Sequence, residues 1–350
     1  MNNSIPQKLH HHYQVYGLII GANIEIPGLH AEKVERNTAD IEINMGSFPD
    51  DLYNLISQPT TEYYLEPGYE KKDPPNLTVN MLANGRYFHF CYEYGVEFIC
   101  NRSATAIWGI WKKSLTLEDA ALYLLGPIIG FMLRLRGITC LHASGVVVDG
   151  EALALTGPSG MGKSTLAASF AAAGYPVLTD DILPLNTVNN VICALSGYSR
   201  LRLFPNSFET SQELPDKLPL LAPGWNKHYL DLTSDPYELY KAPATLKVVY
   251  IIDRNIKKTE SPSIVTLSGA EVVPLLAANT YRNELLNPGM RMKEFYYLSN
   301  LASKIRVKKL HPLNDISAMP QLREMLLADF RKESTYQGQV RHYAKSPRDS

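Results

Sequence analysis

The 350-residue chain has little that would staple it, export it or anchor it. Its four cysteines, Cys91, Cys100, Cys140 and Cys193, form no CxxC pair and no zinc-ligand spacing. A chain of this length needs no disulfides to hold a core, so they are expected to be reduced thiols of a cytoplasmic protein. No charge of one sign prevails. Lys+Arg number 34 against 35 Asp+Glu, a formal net charge of -1, which offers no global attraction to nucleic acid or to an anionic membrane. The opening MNNSIPQKLHHH lacks the basic start and apolar core of a secretory signal, so export is not expected and residues 1–12 read as a polar leader. Three adjacent imidazoles, His10, His11 and His12, cannot converge on one ion without help from elsewhere, and the leader reading takes them as solvated. No apolar run reaches bilayer length. The longest, Ala120 to Leu133, is broken by Gly126-Pro127 and is expected to be a core helix. There is no internal repeat.

What the chain does carry is Gly157-Pro158-Ser159-Gly160-Met161-Gly162-Lys163-Ser164-Thr165, a full match to the phosphate loop G-x-x-x-x-G-K-[ST]. It follows the apolar run Ala152 to Leu155 and opens the alanine-rich segment Leu166 to Ala173, the strand, loop and helix order the motif requires. Glycines let backbone N–H groups turn inward around phosphate oxygens, and the helix from Lys163 adds the positive end of its dipole. Lys163 is placed to reach the terminal phosphates of a nucleoside triphosphate, and the Ser164 hydroxyl to ligate magnesium.

From Tyr13 to about Trp111 short runs rich in Val, Ile, Tyr and Phe predict a β-rich N-terminal half. The strands expected are Tyr13 to Ile20, Asp40 to Asn44, Glu62 to Leu65, Leu77 to Leu82, Arg86 to Tyr92 and Val96 to Cys100, with loops at Glu66-Pro67-Gly68 and Lys71 to Pro75. Thr116 then caps a helix leading into Ala120 to Arg136, which Pro127 kinks or splits and Gly137 closes. This gives a β-rich domain over 13–136, a nucleotide-binding domain over 137–331 and a polar, disordered tail over 332–350. In the second domain strands are expected at Cys140 to Val148, Glu151 to Leu155, Pro176 to Thr179, Ile182 to Leu185, Val191 to Leu195, Leu201 to Phe204, Lys247 to Ile252 and Ile305 to Leu310. A long loop or lid is expected over Pro205 to Pro243, and helices from the capping box Ser268 to Glu271, over Lys293 to Leu301 and over Ile316 to Phe330.

Only about fifteen residues separate Ser164 from Asp180-Asp181, room for one helix and one turn. If the crossover is right-handed and the strands parallel, both acids face the bound phosphates. Two adjacent carboxylates can then divide magnesium binding and proton acceptance from an attacking hydroxyl. His142, in the strand before the loop, is by default a hydrogen-bonded core or edge residue. Arg200 and Arg202 alternate along one strand, and either could clamp phosphate or a peptide carboxylate; Lys227, His228 and Arg282 are candidates of the same kind.

Leu141-His142, Val146 to Gly150, the loop GPSGMGKST and Leu178 to Asp181 together resemble the core of the HPr kinase/phosphorylase family. The resemblance implies an α/β P-loop kinase domain of the HPr kinase C-terminal type, preceded here by the β-rich domain. It also implies ATP and Mg2+ as cofactors, Asp180 as general base, Asp181 with Ser164 on the magnesium side, and His142 and Lys163 in the active-site cluster. HPr kinases assemble, so a homo-oligomer is implied as well. The chain is still more similar to the HPr-kinase-like proteins of ribosomal peptide clusters, some of which phosphorylate the C-terminal serine of a lasso precursor peptide. That likeness lies in Tyr16-Gly17-Leu18 to Ile26-Pro27, in Gly197 to Pro205 and in Lys227 to Leu232. The expectation is a serine kinase acting on a precursor peptide. An HPr-type protein kinase, a kinase of a small hydroxyl compound and a nucleotide-sensing binding protein are the alternatives.

Overall fold

The computed structural model describes residues 9–31, 38–66, 76–208, 211, 213–254, 261–313 and 315–343. The loop expected at Lys71 to Pro75, residues 67–68 of the other expected loop, the first eight leader residues and the last seven of the tail lie outside them.

The first half is one eight-stranded sheet made of β1 (His11–Val15), β2 (Leu18–Ala22), β3 (Ile41–Met45), β4 (Thr61–Leu65), β5 (Leu77–Leu82), β6 (Tyr87–Tyr92), β7 (Val96–Asn101) and β8 (Ala106–Trp111), in the spatial order β1-β2-β3-β8-β7-β6-β5-β4. One short helix, α1 (Asp50–Ile56), lies between β3 and β4. The single strand expected from Tyr13 to Ile20 is instead a hairpin. Tyr16 and Gly17 both take positive φ, 57° and 74°, the conformation a two-residue turn between antiparallel strands demands. The turn brings His11 and His12 opposite Ala22 and Gly21, so these two imidazoles belong to the sheet and not to a leader.

One face of this sheet is covered by α2 (Leu117–Tyr123) and α3 (Ile129–Leu135), joined by a π-helical turn, Leu124–Ile128, that contains Pro127. Proline has no N–H to give the preceding turn and its ring crowds the carbonyl four residues back, so the helix widens there instead of running on. Thr116 and Asp119 form a reciprocal capping box at the start of α2. The apolar stretch 124–133 is buried throughout, and its core continues without interruption from Phe88, Phe90 and Phe98 of the sheet to Ile182, Tyr198 and Tyr281 of the second half. Among the described residues no helix is long and apolar enough to cross a membrane.

The second half is a sheet of β9 (Thr139–Val148), β10 (Glu151–Thr156), β11 (Val177–Thr179), β12 (Ile182–Val188), β13 (Val191–Ala194), β16 (Ala244–Ile252), β17 (Ser263–Thr266) and β18 (Arg306–His311), with β14 (Arg200–Leu203) and β15 (His228–Asp231) forming a separate ribbon. Because β16 pairs with both β13 and β10, the strands β10, β9, β12, β13 and β16 close a ring. The three strands β10, β16 and β18 are parallel, so the chain leaves all three at the same end. In such sheets the crevice beyond the carboxyl ends of the strands is where ligands bind.

Among the described residues five α-helices complete this half: α4 (Lys163–Ala172), α5 (Pro205–Phe208), α6 (Val272–Ala278), α7 (Pro288–Lys304) and α8 (Met319–Tyr343). Three of them differ from expectation. Ser268 makes no capping bond, and a short 3-10 turn, Gly269–Glu271, leads into α6. The helix expected at Lys293 begins five residues earlier, where Asn287 caps the backbone of Met290 and Pro288 supplies the fixed φ of a first helical residue. The terminal helix does not stop at Phe330 but runs on through residues read as a disordered tail, to Tyr343. The interval 205–243 is likewise no plain loop, since it holds α5 and β15.

At Gly130 α3 lies tightly against the second half, for a methyl group placed there would overlap the Tyr281 ring. Gly130→Ala is expected to destabilise the protein by about 1–3 kcal/mol, the usual cost of overpacking a core. Urea denaturation measures it, and an unchanged midpoint would show that Tyr281 yields freely.

Candidate active site

Between β10 and α4 the chain makes the glycine loop 157–162, with Gly157, Gly160 and Gly162 at φ of 145°, 80° and 93°. Gly157 has no alternative, because a Cβ there would lie 2.8 Å from the carbonyl oxygen of Ile252 on the neighbouring strand. Gly162 forms the N-cap of α4 and no side chain caps this helix. The opening turn of α4 therefore presents its N–H groups and its positive dipole end with no side chain of the helix capping them. Lys163 Nζ donates to the carbonyls of Gly157 and Pro158, at 2.7 and 3.1 Å, which folds the ammonium back over the loop.

The acids arise from a break in a strand. Strands β11 and β12 both pair antiparallel with β9, and Asp180-Asp181 fills the gap between them, Asp181 in the left-handed region at φ 72°. Strand β10 also runs antiparallel to β9, so β10 and β11 point the same way, with β9 lying between them. The acid pair thus reaches the glycine loop as the crossover reading requires, though the two strands do not themselves pair.

The two carboxylates have separate partners. Asp180, 2% exposed, accepts at Oδ1 from Ser144 Oγ (2.6 Å) and Ser164 Oγ (2.9 Å), and at Oδ2 from the backbone N–H of Arg202 (3.0 Å). Asp181 accepts at Oδ2 from Arg202 Nη1 and from the Tyr281 hydroxyl, each at 3.2 Å, and its Oδ1 lies 3.4 Å from His142 Nε2. Burial pushes the Asp181 carboxyl up, but Arg202, His142 and the Tyr281 bond outweigh it and hold the group below the usual carboxylate range. Burial lowers the His142 imidazole despite the pull of Asp181, with Lys163 adding to the depression. Burial likewise lowers Lys163 against the opposing pull of the two acids. This division runs opposite to the one the resemblance implies. Ser164 is bonded to Asp180, while Asp181 belongs with His142.

A cavity of about 290 Å3 opens over these groups, and its lining includes Lys163, Ser164, Asp180, Asp181 and His142 together with Phe204, Asn206, Lys227 and Arg254. Ser159, Gly160 and Gly162 of the glycine loop also line it, as does Thr165 of α4, whose hydroxyl donates at 3.0 Å to that of Ser207, another lining residue.

The basic candidates part company. Arg202 joins the site and bonds both Asp181 and, through Nε at 2.5 Å, the Tyr198 hydroxyl. Lys227 lines the cavity with its Nζ 4.7 Å from the centre of the Phe204 ring. Arg200 lies outside it, stacked 4.1 Å over the Tyr229 ring, and His228 is bonded through Nδ1 to the carbonyl of Leu218 at 2.7 Å. Arg282 pairs with Glu284 at 3.1 Å and acts on Asp181 only through its charge.

Three participants were not legible at the outset. Ser144 stands two residues beyond His142 on β9, and the two-residue period of a strand would have put both on one face. Arg254 follows the carboxyl end of β16, where its Nε donates to the carbonyl of Met161 at 3.1 Å. Tyr281 has no local signal, because it is delivered by a segment that runs beside β9 through the bonds His142 N–H to Asn279 and Tyr281 N–H to Cys140.

Among the solved structures the chain is similar to is the HPr(Ser) kinase/phosphatase from Coxiella burnetii, at 14% identity over 59% of this chain and 99% of that one, with a TM-score of 0.32. That likeness is too slight to assign a fold or an activity. No protein-family model matches the chain, and no curated protein does.

The depressed imidazole sets a pH dependence. The unfolded chain protonates this histidine near pH 6.5, as a free imidazole does, whereas the folded chain resists it until lower pH. His142 therefore contributes fully to stability above about pH 6.5, and the contribution declines as the pH falls through that value. Asp181 adds loss in the same direction at lower pH, as acid reaches its depressed folded value. In melting curves between about pH 7.5 and 5.5, His142→Gln is expected to lose less stability than the parent. Equal losses would mean that the imidazole protonates as readily folded as unfolded.

Proposed function

We propose that the chain is an ATP- and magnesium-dependent phosphotransferase that moves a phosphoryl group to a serine hydroxyl on a peptide, with the C-terminal serine of a lasso precursor as the leading acceptor. The observation that carries the reading is the 2.9 Å bond from the Ser164 hydroxyl to Asp180 at the first turn of α4, beneath the glycine loop. A hydroxyl and a carboxylate this close are hard oxygen donors of the kind magnesium takes, and they suit it here. The metal would supply charge neutralisation at the phosphates. The glycine loop and the α4 terminus offer N–H groups to the phosphate oxygens, and Lys163 needs only to swing from two carbonyls to reach them.

The hydrogen bonds also favour roles for the acids. Asp180 already accepts three donors and is 2% exposed, which suits a fixed metal-side group. Asp181, whose side chain is 20% exposed, faces the cavity beside His142. Asp181 is therefore assigned as proton acceptor. It takes the hydrogen of the serine hydroxyl as the oxygen forms a bond to the γ-phosphorus, and the bond from that phosphorus to the bridging oxygen breaks to leave ADP. Arg202 and Tyr281 hold the carboxylate in place, and the neutral His142 ring, with its lowered pKa, sits at the other oxygen.

Titration calorimetry with Mg-ATP and transfer of labelled phosphate to a serine-terminated peptide separate these roles. Asp181→Asn is expected to keep nucleotide affinity within a few-fold while transfer falls by about 10^2 or more, the scale of a lost general base. Asp180→Asn is expected to weaken the magnesium dependence of binding. Lys163→Ala should impair binding and transfer together. Tight nucleotide binding with no labelled acceptor in the parent protein would instead leave a nucleotide-sensing module. A transfer defect confined to Asp180→Asn would restore the division implied by the resemblance.

A further inference from the structure

On the first sheet, away from the cavity, three side chains of different ligand chemistry converge. His89 and Cys91 lie two residues apart on β6, and Glu97 on β7 pairs with Cys91 across the strands, so all three project from one face. That face is the one opposite the buried Phe88 and Phe90, which pack against Phe131 of α3. His89 Nε2 lies 2.9 Å from Glu97 Oε2 and 3.4 Å from Cys91 Sγ, and all three ligand atoms fall within 4.8 Å of one another.

Those spacings can be set against a metal centre. A tetrahedral zinc with bonds of about 2.0–2.1 Å to nitrogen, 2.3 Å to sulfur and 2.0–2.2 Å to carboxylate oxygen places its ligand atoms roughly 3.3–3.6 Å apart. The nitrogen-to-sulfur distance lies in that range, but Sγ is also 3.7 Å from Nδ1 and so stands over the ring; the thiol has to turn toward the Nε2 edge, and the nitrogen-to-oxygen distance to open by a few tenths of an ångström, for one ion to meet all three. We infer that His89, Cys91 and Glu97 form a binding site for a divalent transition metal of the zinc class, with its fourth position open to water.

The surroundings favour this over a plain cross-strand pair. The His89 ring is braced by Phe48, whose ring stands at 84° to it with centres 6.2 Å apart, so the imidazole is fixed before any metal arrives. The His89 side chain is only 6% exposed while that of Glu97 is 37% exposed, which leaves an approach from the Glu97 side. Cys91 is a free thiol. A mixed nitrogen, sulfur and oxygen set suits zinc or cobalt and does not suit magnesium or calcium, which take oxygen ligands. Binding replaces the thiol proton with the metal, so one proton leaves to solvent for each ion bound. The metal would tie β6 to β7 on the outer face of the sheet.

The test uses the whole chain, stripped with a chelator and titrated with cobalt(II). The expected result is a near-ultraviolet sulfur-to-cobalt charge-transfer band that saturates at one equivalent and is displaced by zinc. Cys91→Ser and His89→Ala should each abolish the band. Replacement of His10, His11 and His12 together should leave it, since those imidazoles bring no sulfur. Stoichiometric zinc should also slow alkylation of Cys91 by about tenfold or more, because the thiolate is both the nucleophile and the ligand. That readout needs no variant and so survives any failure of one to fold. Absence of the band, its persistence in Cys91→Ser, or alkylation unaffected by zinc would overturn the assignment.

Discussion

Two adjacent carboxylates at a break in a β-strand are the constraint around which the second half of this protein is arranged. Placing Asp180 and Asp181 side by side away from water is costly unless each is met by donors, and a single element could not supply them all. The donors come instead from four residues, Ser144 on β9, Ser164 on α4, Arg202 on β14 through its backbone and side chain, and Tyr281 from the bridge beside β9, with the His142 ring 3.4 Å from the remaining Asp181 oxygen. Arg202 is central because its N–H serves one acid and its guanidinium the other. Shifting β14 along its ribbon partner β15 would take a donor from both carboxylates at once.

The same network ties the halves together. Tyr16, held at positive φ in the first hairpin of the N-terminal sheet, is 1% exposed and sits within electrostatic reach of Tyr198, Arg202 and Asp181. Its backbone N–H bonds the carbonyl of Ser196 at 2.8 Å. Asp119, beyond capping α2, accepts from Trp225 Nε1 at 3.2 Å, and the Tyr63 hydroxyl donates to the carbonyl of Leu285 at 2.6 Å. Buried between these contacts is the ion pair of Arg134 on α3 with Glu294 on α7. The β-rich half thus helps fix the geometry of the acids, through packing and hydrogen bonds between segments remote in sequence.

What could be read from the sequence was what is local in it. The glycine loop, the helix that follows and the acid pair one helix later lie within about twenty-five consecutive residues, and each has a backbone or spacing rule behind it. The capping role of Thr116 and the disturbance at Pro127 were legible for the same reason. The Tyr16-Gly17 turn was not, because an apolar alternation on both sides of it masks a reversal that only positive φ reveals. Strand β8 and helix α1 were passed over, the one lacking flanking turn signals of the strongest kind and the other being short and largely exposed apart from Leu52. Tyr281 and Arg254 join the site through side-chain hydrogen bonds to partners a hundred residues and ninety-three residues away respectively, which no periodicity encodes. The division of labour between Asp180 and Asp181 likewise depends on which donor each meets, and those donors are distant in the chain.

The charge balance of the cavity bears on what it accommodates. Its lining brings together Lys163, Arg202, Lys227 and Arg254 against the two carboxylates of Asp180 and Asp181. Arg202 is committed to Asp181, and Asp180 is satisfied by hydroxyl and amide donors. Burial lowers Lys163, Lys227 and Arg254, a sign that their charged forms are held at a cost in a poorly solvated space. Cations so placed gain most from an anion that carries several charges and brings its own oxygens, because each new contact is made where water screens it least. Lys163, Lys227 and Arg254 therefore bring their charge to the same space that the glycine loop borders.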